Sequence, residues 1–244
     1  MKDKERVSVL REWAAEADSV VFFGGAGVST ASGIPDFRSA DGLYNHKYRF
    51  PPEQMLSIDF FNACPSEFYR FYFDKMIYPE ARPNAAHIAL AEAEARGKVK
   101  AVVTQNIDGL HQAAGSRNVL ELHGSVHRNR CPHCGRSYSL EQMFSLRDAS
   151  ADGVPRCGCG HTVKPSVVLY GEPLPEAATE AAIAAIAACD LLIIGGTSLT
   201  VYPAAGFVNF AKGRIALVNK SRTDYDDAAD LAICDSVEIL AGVL

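Results

Sequence analysis

Phe22-Phe23-Gly24-Gly25-Ala26-Gly27-Val28-Ser29-Thr30-Ala31-Ser32-Gly33-Ile34-Pro35-Asp36-Phe37-Arg38 decides how this chain is read. The apolar run at 19–23 predicts a buried parallel strand, and it stops on paired glycines. Glycine has no Cβ, so the backbone there turns sharply and approaches a ligand closely. Gly27-Val28-Ser29-Thr30 is expected to open a helix whose free N–H groups and positive dipole end attract a phosphate. Two common nucleotide loops do not account for the stretch. Ile34 follows Gly33 where an NTPase loop needs Lys-Ser/Thr, and Thr30 stands where a dehydrogenase fingerprint needs its third glycine. Instead, a rigid turn, a carboxylate, an aromatic ring and a guanidinium (Pro35, Asp36, Phe37, Arg38) follow directly behind the glycines.

Upstream, Val7, Leu10, Trp13, Ala14 and Ala17 recur at helical spacing and predict a helix packed beside the sheet. Downstream, residues 41–52 lack a period and read as a long loop. Residues 66–78 carry Phe68, Tyr69, Phe71, Tyr72 and Phe73 on a helix. Such a stripe belongs to a core, with one edge able to line an apolar channel. An alanine-rich helix at 85–96 follows Pro83-Asn84 and ends at Gly97. The apolar strand at 99–104 then delivers Gln105-Asn106-Ile107-Asp108-Gly109-Leu110-His111 at its C-terminal end, where open α/β sheets bind ligands. A short strand at 119–122 presents His123 beside Gly124, and an imidazole so placed titrates near neutrality.

Cys131-Pro132-His133-Cys134 and Cys157-Gly158-Cys159 form two knuckles with the separation of a four-cysteine zinc site. The second pair is one residue tighter than usual, which makes His133 and His161 reserve ligands below the cysteines. Four thiolates leave no open position for water, so the metal is read as structural. From Pro165 the alternation returns: an extended stretch at 167–172, a helix at 176–188, and a strand at 190–194 ending in Gly195-Gly196-Thr197-Ser198. That turn offers a ribose or phosphate contact. A helix at 203–212, a strand at 214–219, a short helix at 224–231 and a closing strand at 232–240 complete the reading. Strand, helix, strand throughout predicts an α/β fold, a doubly wound parallel sheet interrupted by two insertions. Cys64, Cys189 and Cys234 are read as small buried residues.

The bulk numbers exclude several classes. At 244 residues and 48% apolar composition, the chain can bury a large core. A net charge of -5 argues against a broad nucleic-acid surface. No apolar run reaches the roughly twenty residues of a membrane span, and the charged N-terminus is unlike a signal peptide. Seven cysteines, four of them in close pairs, suit a metal in a reducing compartment, so a cytoplasmic location is expected.

Together these pieces make the chain resemble a sirtuin, an NAD-dependent protein-lysine deacylase. The resemblance is carried by Gly25-Ala26-Gly27-Val28-Ser29 with Gly33-Ile34-Pro35-Asp36-Phe37-Arg38, by Thr104-Gln105-Asn106-Ile107-Asp108-Gly109-Leu110-His111, and by Leu122-His123-Gly124. The two cysteine pairs, Tyr170-Gly171-Glu172, Gly196-Thr197-Ser198-Leu199 and Val218-Asn219 continue it in the family's order. It covers essentially the whole chain and is similar to the compact bacterial members. Gly24, where many members have a hydroxyl residue, and the tight second cysteine pair are the departures.

The resemblance implies a Rossmann-like NAD domain at 1–34, 82–126 and 165–244. It implies a smaller domain made of a helical module at 35–81 and a zinc-binding module at 127–164. Gly25, Ala26, Gly27, Thr30 and Arg38 would meet the phosphates and nearby ribose, and Gly196, Thr197, Ser198, Asn219, Lys220 and Asp235 the adenosine half. Phe37, Ile107 and Asp108 would form a nicotinamide pocket, with Gln105 and Asn106 ordering the ribose and a water. His123 would act as general base with Asn106 as the second catalytic residue, releasing nicotinamide and O-acetyl-ADP-ribose. Val168, Tyr170, Gly171, Glu172, Val201 and Tyr202 would hold the acetyl-lysine peptide as an added strand, and Cys131, Cys134, Cys157 and Cys159 one zinc ion.

Tyr69 and Tyr72 stand where members that prefer acidic acyl groups carry a Tyr-x-x-Arg pair. The missing cation implies acetyl over succinyl, with longer acyl chains admissible. Expected partners are acetyl-lysine-bearing proteins or peptides, with no nucleic acid, no membrane and a monomeric state. ADP-ribosyl transfer, a non-catalytic reader and hydride transfer are the competing readings. A reader needs no base at His123, and hydride transfer lacks its glycine fingerprint.

Overall fold

The computed structural model describes residues 3–37, 42 and 48–244. Helix α1 (Asp3–Glu16) leads into β1 (Val20–Gly24), all five residues of which are buried. The other strands of the large sheet are β2 (Val99–Thr104), β3 (Val119–Glu121), Leu191–Gly195, Arg214–Asn219 and Leu231–Cys234. Between them lie β4 (Gly124–Arg130), β5 (Ser137–Tyr138) and β6 (Lys164–Val167), so the three later strands are β7, β8 and β9. The six-stranded order is β3-β2-β1-β7-β8-β9 and every pairing in it is parallel. The chain runs outward from β1 to one edge, returns to its other side, and runs out again. Beside β1 the strand order reverses, and in such sheets that is where ligands bind.

Alternation along the strands builds two cores. Val20, Phe22, Leu191, Ile193, Ala216 and Val218 face one side with Leu10 and Ala14 of α1 and with Leu90 and Ala93. Val21, Phe23, Leu192, Ile194 and Leu217 face the other with Ala182 and Ile186. A parallel sheet covered on both faces needs such continuous apolar strands. The covering helices include α1, the alanine-rich helix Ala85–Ala95 and the helix Glu176–Ala188.

A third core lies outside the sheet. It joins Phe60, Phe61, Phe68, Tyr69, Phe71 and Tyr72 to Cys131, Met143, Val154, Cys157 and Val163. The aromatic residues come from three helices, Pro52–Met55, Ile58–Ala63 and Pro65–Lys75, designated α2, α3 and α4. Ala85–Ala95 is then α5, followed by α6 (Leu110–Ala114), α7 (Leu140–Asp148) and α8 (Glu176–Ala188). The small sheet β5-β4-β6 is antiparallel and carries α7. Tyr69 donates its hydroxyl to the Val163 carbonyl, which fixes α4 to the segment entering β6.

Several expected elements differ. Behind β1 there is no α-helix but two 3-10 turns, Ala26–Val28 and Thr30–Ser32, and Gly33 at φ +83 ends the second. Each turn is too short to develop a helix dipole. The segment 203–212 also winds as 3-10, Ala204–Phe210. Residues 224–230 form turns and bends where the sequence pattern predicts a helix over 224–231, and the last strand is only Leu231–Cys234, with a 3-10 segment Val237–Gly242 behind it. Cys189 is buried as expected, whereas Cys64 and Cys234 are exposed. Arg38 and residues 41 and 43–47 of the long loop lie outside the described residues.

The two halves of the sheet meet through glycine. Gly27 N–H donates to Gly196 O at 2.8 Å. A Cβ at Gly27 would stand 2.8 Å from Gly196 Cα, and one at Gly196, where φ is +61, would overlap the Val28 backbone. Gly196→Ala is expected to destabilise the protein by about 3 kcal/mol or more, since it adds an overlap to a left-handed backbone. Gly33→Ala, with nothing within 4 Å of the added carbon, should cost only about 1 kcal/mol. Urea unfolding of the two variants checks the difference.

Candidate active site

β1, β2, β7 and β8 end along one edge of the sheet, and a cleft of about 750 Å³ runs across their C-terminal ends. Its polar end is made by Gly25, Ala26, Gly27 and Thr30 behind β1, by Gly196, Thr197 and Ser198 behind β7, and by Asn219 and Lys220 behind β8. Its apolar end draws on the third core through Leu56, Tyr72, Met76, Ile77, Leu140, Val167 and Leu169. Gln105, Asn106, Ile107, Asp108 and His123 lie in the wall with Phe37.

The polar groups of the strand ends are tied to one another. Ser29, only 1% exposed, donates its hydroxyl to Asp108 Oδ2 at 2.6 Å and accepts from Asn106 Nδ2 at 3.1 Å. Leu110 N–H donates to Asp108 Oδ1 at 2.9 Å. Gln105 Nε2 reaches Thr197 Oγ1 at 3.0 Å, and Asn219 pins Thr197 by donating to its carbonyl and accepting from its N–H. Asn84 caps α5 and also donates to Val28 O at 2.8 Å and Ser32 Oγ at 3.0 Å, so the cap holds the glycine loop. Half-buried amides and a carboxylate so connected are fixed in orientation before any ligand arrives.

His123 is aimed by its backbone. Nδ1 lies 2.9 Å from Gln105 O, and a carbonyl only accepts, so the proton sits on Nδ1 and Nε2 keeps a free lone pair. Burial lowers the pKa of this imidazole, while the bond to Gln105 opposes the shift. The ring is therefore neutral near pH 7. At Gly124, φ is +75 and a Cβ would overlap the Ser166 carbonyl, so only glycine lets β4 approach β6 here. That approach lets Val168 N–H donate to His123 O at 2.9 Å.

Behind the wall, His87 and His111 form a buried pair with ring centroids 4.7 Å apart. His87 Nδ1 accepts from Asn84 N–H. Neither ring nitrogen of His111 has a partner among the described residues. Burial lowers both pKa values, that of His111 to about 3 with help from His87.

Outside the cleft the four cysteines converge. Their sulfur atoms lie within 4.8 Å of one another, with Cys131–Cys159 at 3.5 Å and Cys134–Cys157 at 3.4 Å. These separations exceed any disulfide and approach the roughly 3.8 Å edge of a tetrahedron with Zn–S of about 2.3 Å. The tight Cys157-Gly158-Cys159 pair closes because Cys157 N–H donates to His161 O and Gly160 N–H to Cys157 O. His133 and His161 stack at 3.9 Å and are not needed to complete the tetrad. The cysteine set fits a structural zinc ion.

Nearly all site residues expected from the sequence border the cleft, including Val168, Tyr170, Gly171, Glu172, Val201 and Tyr202. Asp235 does not; its N–H donates to Asn219 O at the end of β8. Glu172 is engaged by Lys164 Nζ at 2.8 Å and Leu169 N–H at 2.9 Å, and serves its own turn. Sequence reasoning passed over Ser29, Asn84, His87 and His111 as working groups. Ser29, Asn84 and His111 stand in quoted stretches and His87 in the alanine-rich helix, without any indication of which would be buried together.

The Sir2 family model matches residues 25–203. The chain is 54% identical to an NAD-dependent protein deacetylase of Clostridium perfringens, over 98% of each chain. It is 53% identical to an NAD-dependent protein deacetylase of Clostridium acetobutylicum, over 96% of this chain and 95% of that one. A solved Sir2 variant with deacetylated p53 peptide and 3'-O-acetyl ADP ribose superimposes with a TM-score of 0.89 at 40% identity, over 99% of this chain and 96% of that one.

Two measurements follow from this geometry. As pH falls below about 6.5, the unfolded chain takes up protons at both histidines while the folded chain does not. Stability is therefore fully present above that pH and declines toward the lowered folded-state values, by up to about 1.4 kcal/mol per pH unit for each histidine. His111→Phe should flatten the loss between about pH 6.5 and 5 in denaturant titrations. Separately, extracting metal from the purified protein should release one zinc per chain and lower the melting temperature, because Cys131 and Cys157 are part of the third core.

Proposed function

Since the chain belongs to the Sir2 family and is an NAD-dependent protein deacetylase, we propose that His123 is its general base and Asn106 its partner. The observation that carries this is the His123–Gln105 hydrogen bond, which leaves Nε2 unprotonated and free. The cleft suits a dinucleotide: glycines and hydroxyls gather at the switch point. Bound NAD supplies a nicotinamide leaving group and a ribose hydroxyl that receives the acyl group, giving free lysine and O-acetyl-ADP-ribose. This chain's residues orient and move protons around that exchange. Nε2 of His123 takes the proton of the ribose hydroxyl. Asn106 and Gln105 order the ribose and a water, while Phe37, Ile107 and Asp108 hold the nicotinamide. Asp108 keeps lone pairs for a carboxamide although Ser29 and Leu110 already donate to it. Ala26, Thr30 and Arg38 meet the phosphates, and Gly196, Thr197, Ser198, Asn219 and Lys220 the adenosine half.

The acyl-lysine peptide enters between Tyr170 and Tyr202, which are 40% and 74% exposed at the rim of the cleft. It adds as a strand beside 168–171 and 199–202. Tyr170 N–H and C=O are taken by Leu56 and Ile58, so neighbours of Tyr170 carry the pairing. Acetyl is preferred to succinyl: Lys75 lines the cleft, but Asp74 engages its ammonium at 2.9 Å, and an unpaired carboxylate is costly to desolvate. The domain division at 35–81 and 127–164 is supported by the third core being separate from the two sheet cores. The chain acts as a monomer in the cytoplasm on acetylated proteins, without nucleic acid or membrane. Free cysteines accord with a reducing compartment, and no helix among the described residues is long and apolar enough to cross a membrane.

Incubation with NAD and an acetyl-lysine peptide, followed by mass spectrometry, tests the reading. Nicotinamide, deacetylated peptide and acetyl-ADP-ribose should appear together, and only when both substrates are present. A succinyl-lysine peptide should be turned over more slowly. NAD consumption without peptide, or ADP-ribose on protein, would favour ADP-ribosyl transfer. His123→Ala should abolish deacylation and retain NAD binding. In the wild type, the acid limb of kcat/KM should lie below the ordinary histidine value of about 6.5, because burial lowers this pKa.

A further inference from the structure

His127 stands on β4 and borders the cleft, yet no step of the proposed reaction uses it. Its Nε2 lies 3.0 Å from Asp108 O, and a carbonyl only accepts, so the ring donates from Nε2. The ring also lies against Gly109, where a Cβ would stand 2.7 Å from His127 Cδ2 and 2.8 Å from Nε2. Gly109 adopts φ +75 inside a tight turn, which Asp108 Oδ1 closes by accepting from Leu110 N–H at 2.9 Å. Three successive peptides of this turn are each held at the carbonyl. Val126 N–H donates to Ile107 O and Ala113 N–H to Gly109 O, both at 3.0 Å. The middle carbonyl, that of Asp108, is held by the His127 side chain.

We propose that His127 is a positioning residue for the nicotinamide end of NAD, acting through Asp108. The inference rests on the reading that places nicotinamide against Asp108, and it adds the group that keeps this carboxylate aimed. The bond from Asp108 Oδ1 to Leu110 spans ψ of Asp108 and both dihedrals of Gly109. Glycine takes φ of either sign at little cost, so this peptide is the soft point of the turn. Freedom there becomes freedom of the carboxylate. A carboxamide would then have to fix an acceptor that the His127 bond presents already oriented. The adenosine half does not depend on this turn, because Thr197 and Asn219 hold each other behind β7 and β8. Nor does the junction of β4 with the loop, which the Val126 bond supplies through the backbone.

The test uses the full chain with an acetyl-lysine peptide and NAD held at the KM of each variant. Nicotinamide is a product, so added nicotinamide returns to its pocket and inhibits. ADP-ribose, which carries the phosphates and adenosine without the ring, is titrated by calorimetry beside it. His127→Ala should raise the nicotinamide concentration for half inhibition about three- to tenfold, the worth of one exposed hydrogen bond, and leave the ADP-ribose Kd within about twofold. His127→Gln returns an N–H donor of similar reach and should recover most of the loss. A merely structural role would weaken both ligands together. Half inhibition unchanged in His127→Ala, equal losses for nicotinamide and ADP-ribose, or no recovery in His127→Gln would each overturn the proposal. Unchanged nicotinamide inhibition in Asp108→Asn would instead overturn the pocket itself, and absence of turnover by the wild type the deacylase reading.

Discussion

The structure depends on how closely the ends of β1 and β7 can come together. Each strand is followed by a loop, and the two loops are fastened to each other. Gly27 N–H to Gly196 O fastens them, and the contact exists because neither residue carries a Cβ. From this the rest of the polar end follows. With the first loop held against β7, Ser29 reaches Asp108 behind β2, and Gln105 behind β2 reaches Thr197 behind β7. Three strand ends are thereby locked by hydrogen bonds, and the polar end of the cleft is their common surface.

The acyl end has a different foundation. Neither the helices at 52–75 nor the cysteine-bearing segment has enough apolar surface to close alone, and the two share one core. The zinc ligands Cys131 and Cys157 are members of that core, so metal binding and aromatic packing stabilise the same unit. Gly124 is where this unit joins the sheet. It lets β4 run against β6 directly beyond His123, whose carbonyl accepts from Val168 N–H.

Much of this was legible in the sequence because the signals were local. The apolar runs at 19–23, 99–104 and 190–194 each ended on polar or glycine residues, which located the strand ends and with them the cleft. The cysteine pairs located the metal. What the sequence hid was of two kinds. The turns behind β1 read as a helix because Val28-Ser29-Thr30 has no breaker before Gly33. Yet the loop is pinned from outside, with Gly27 N–H on Gly196 O and the Ser29 side chain on Asp108, 79 positions away. The segment at 224–230 likewise forms turns and bends, with Thr223 and Asp226 satisfying each other locally. The second kind is burial: nothing in the order of residues tells that His87 and His111 face each other, or that Asn84 caps a helix and holds a loop at once.

A catalytic cleft must hold polar groups still without using up the atoms that do the chemistry. Here the division is made by assigning each supporting bond to the atom not needed. Gln105 is engaged at its side chain by Thr197 and at its carbonyl by His123, which fixes the imidazole through Nδ1 and leaves Nε2 free. Asp108 is held by one donor on each oxygen, and its backbone carbonyl accepts from His127 Nε2 at 3.0 Å, so the carboxylate is oriented while lone pairs remain. The neutral histidines behind it add no charge that would compete for that carboxylate, and their burial keeps them neutral.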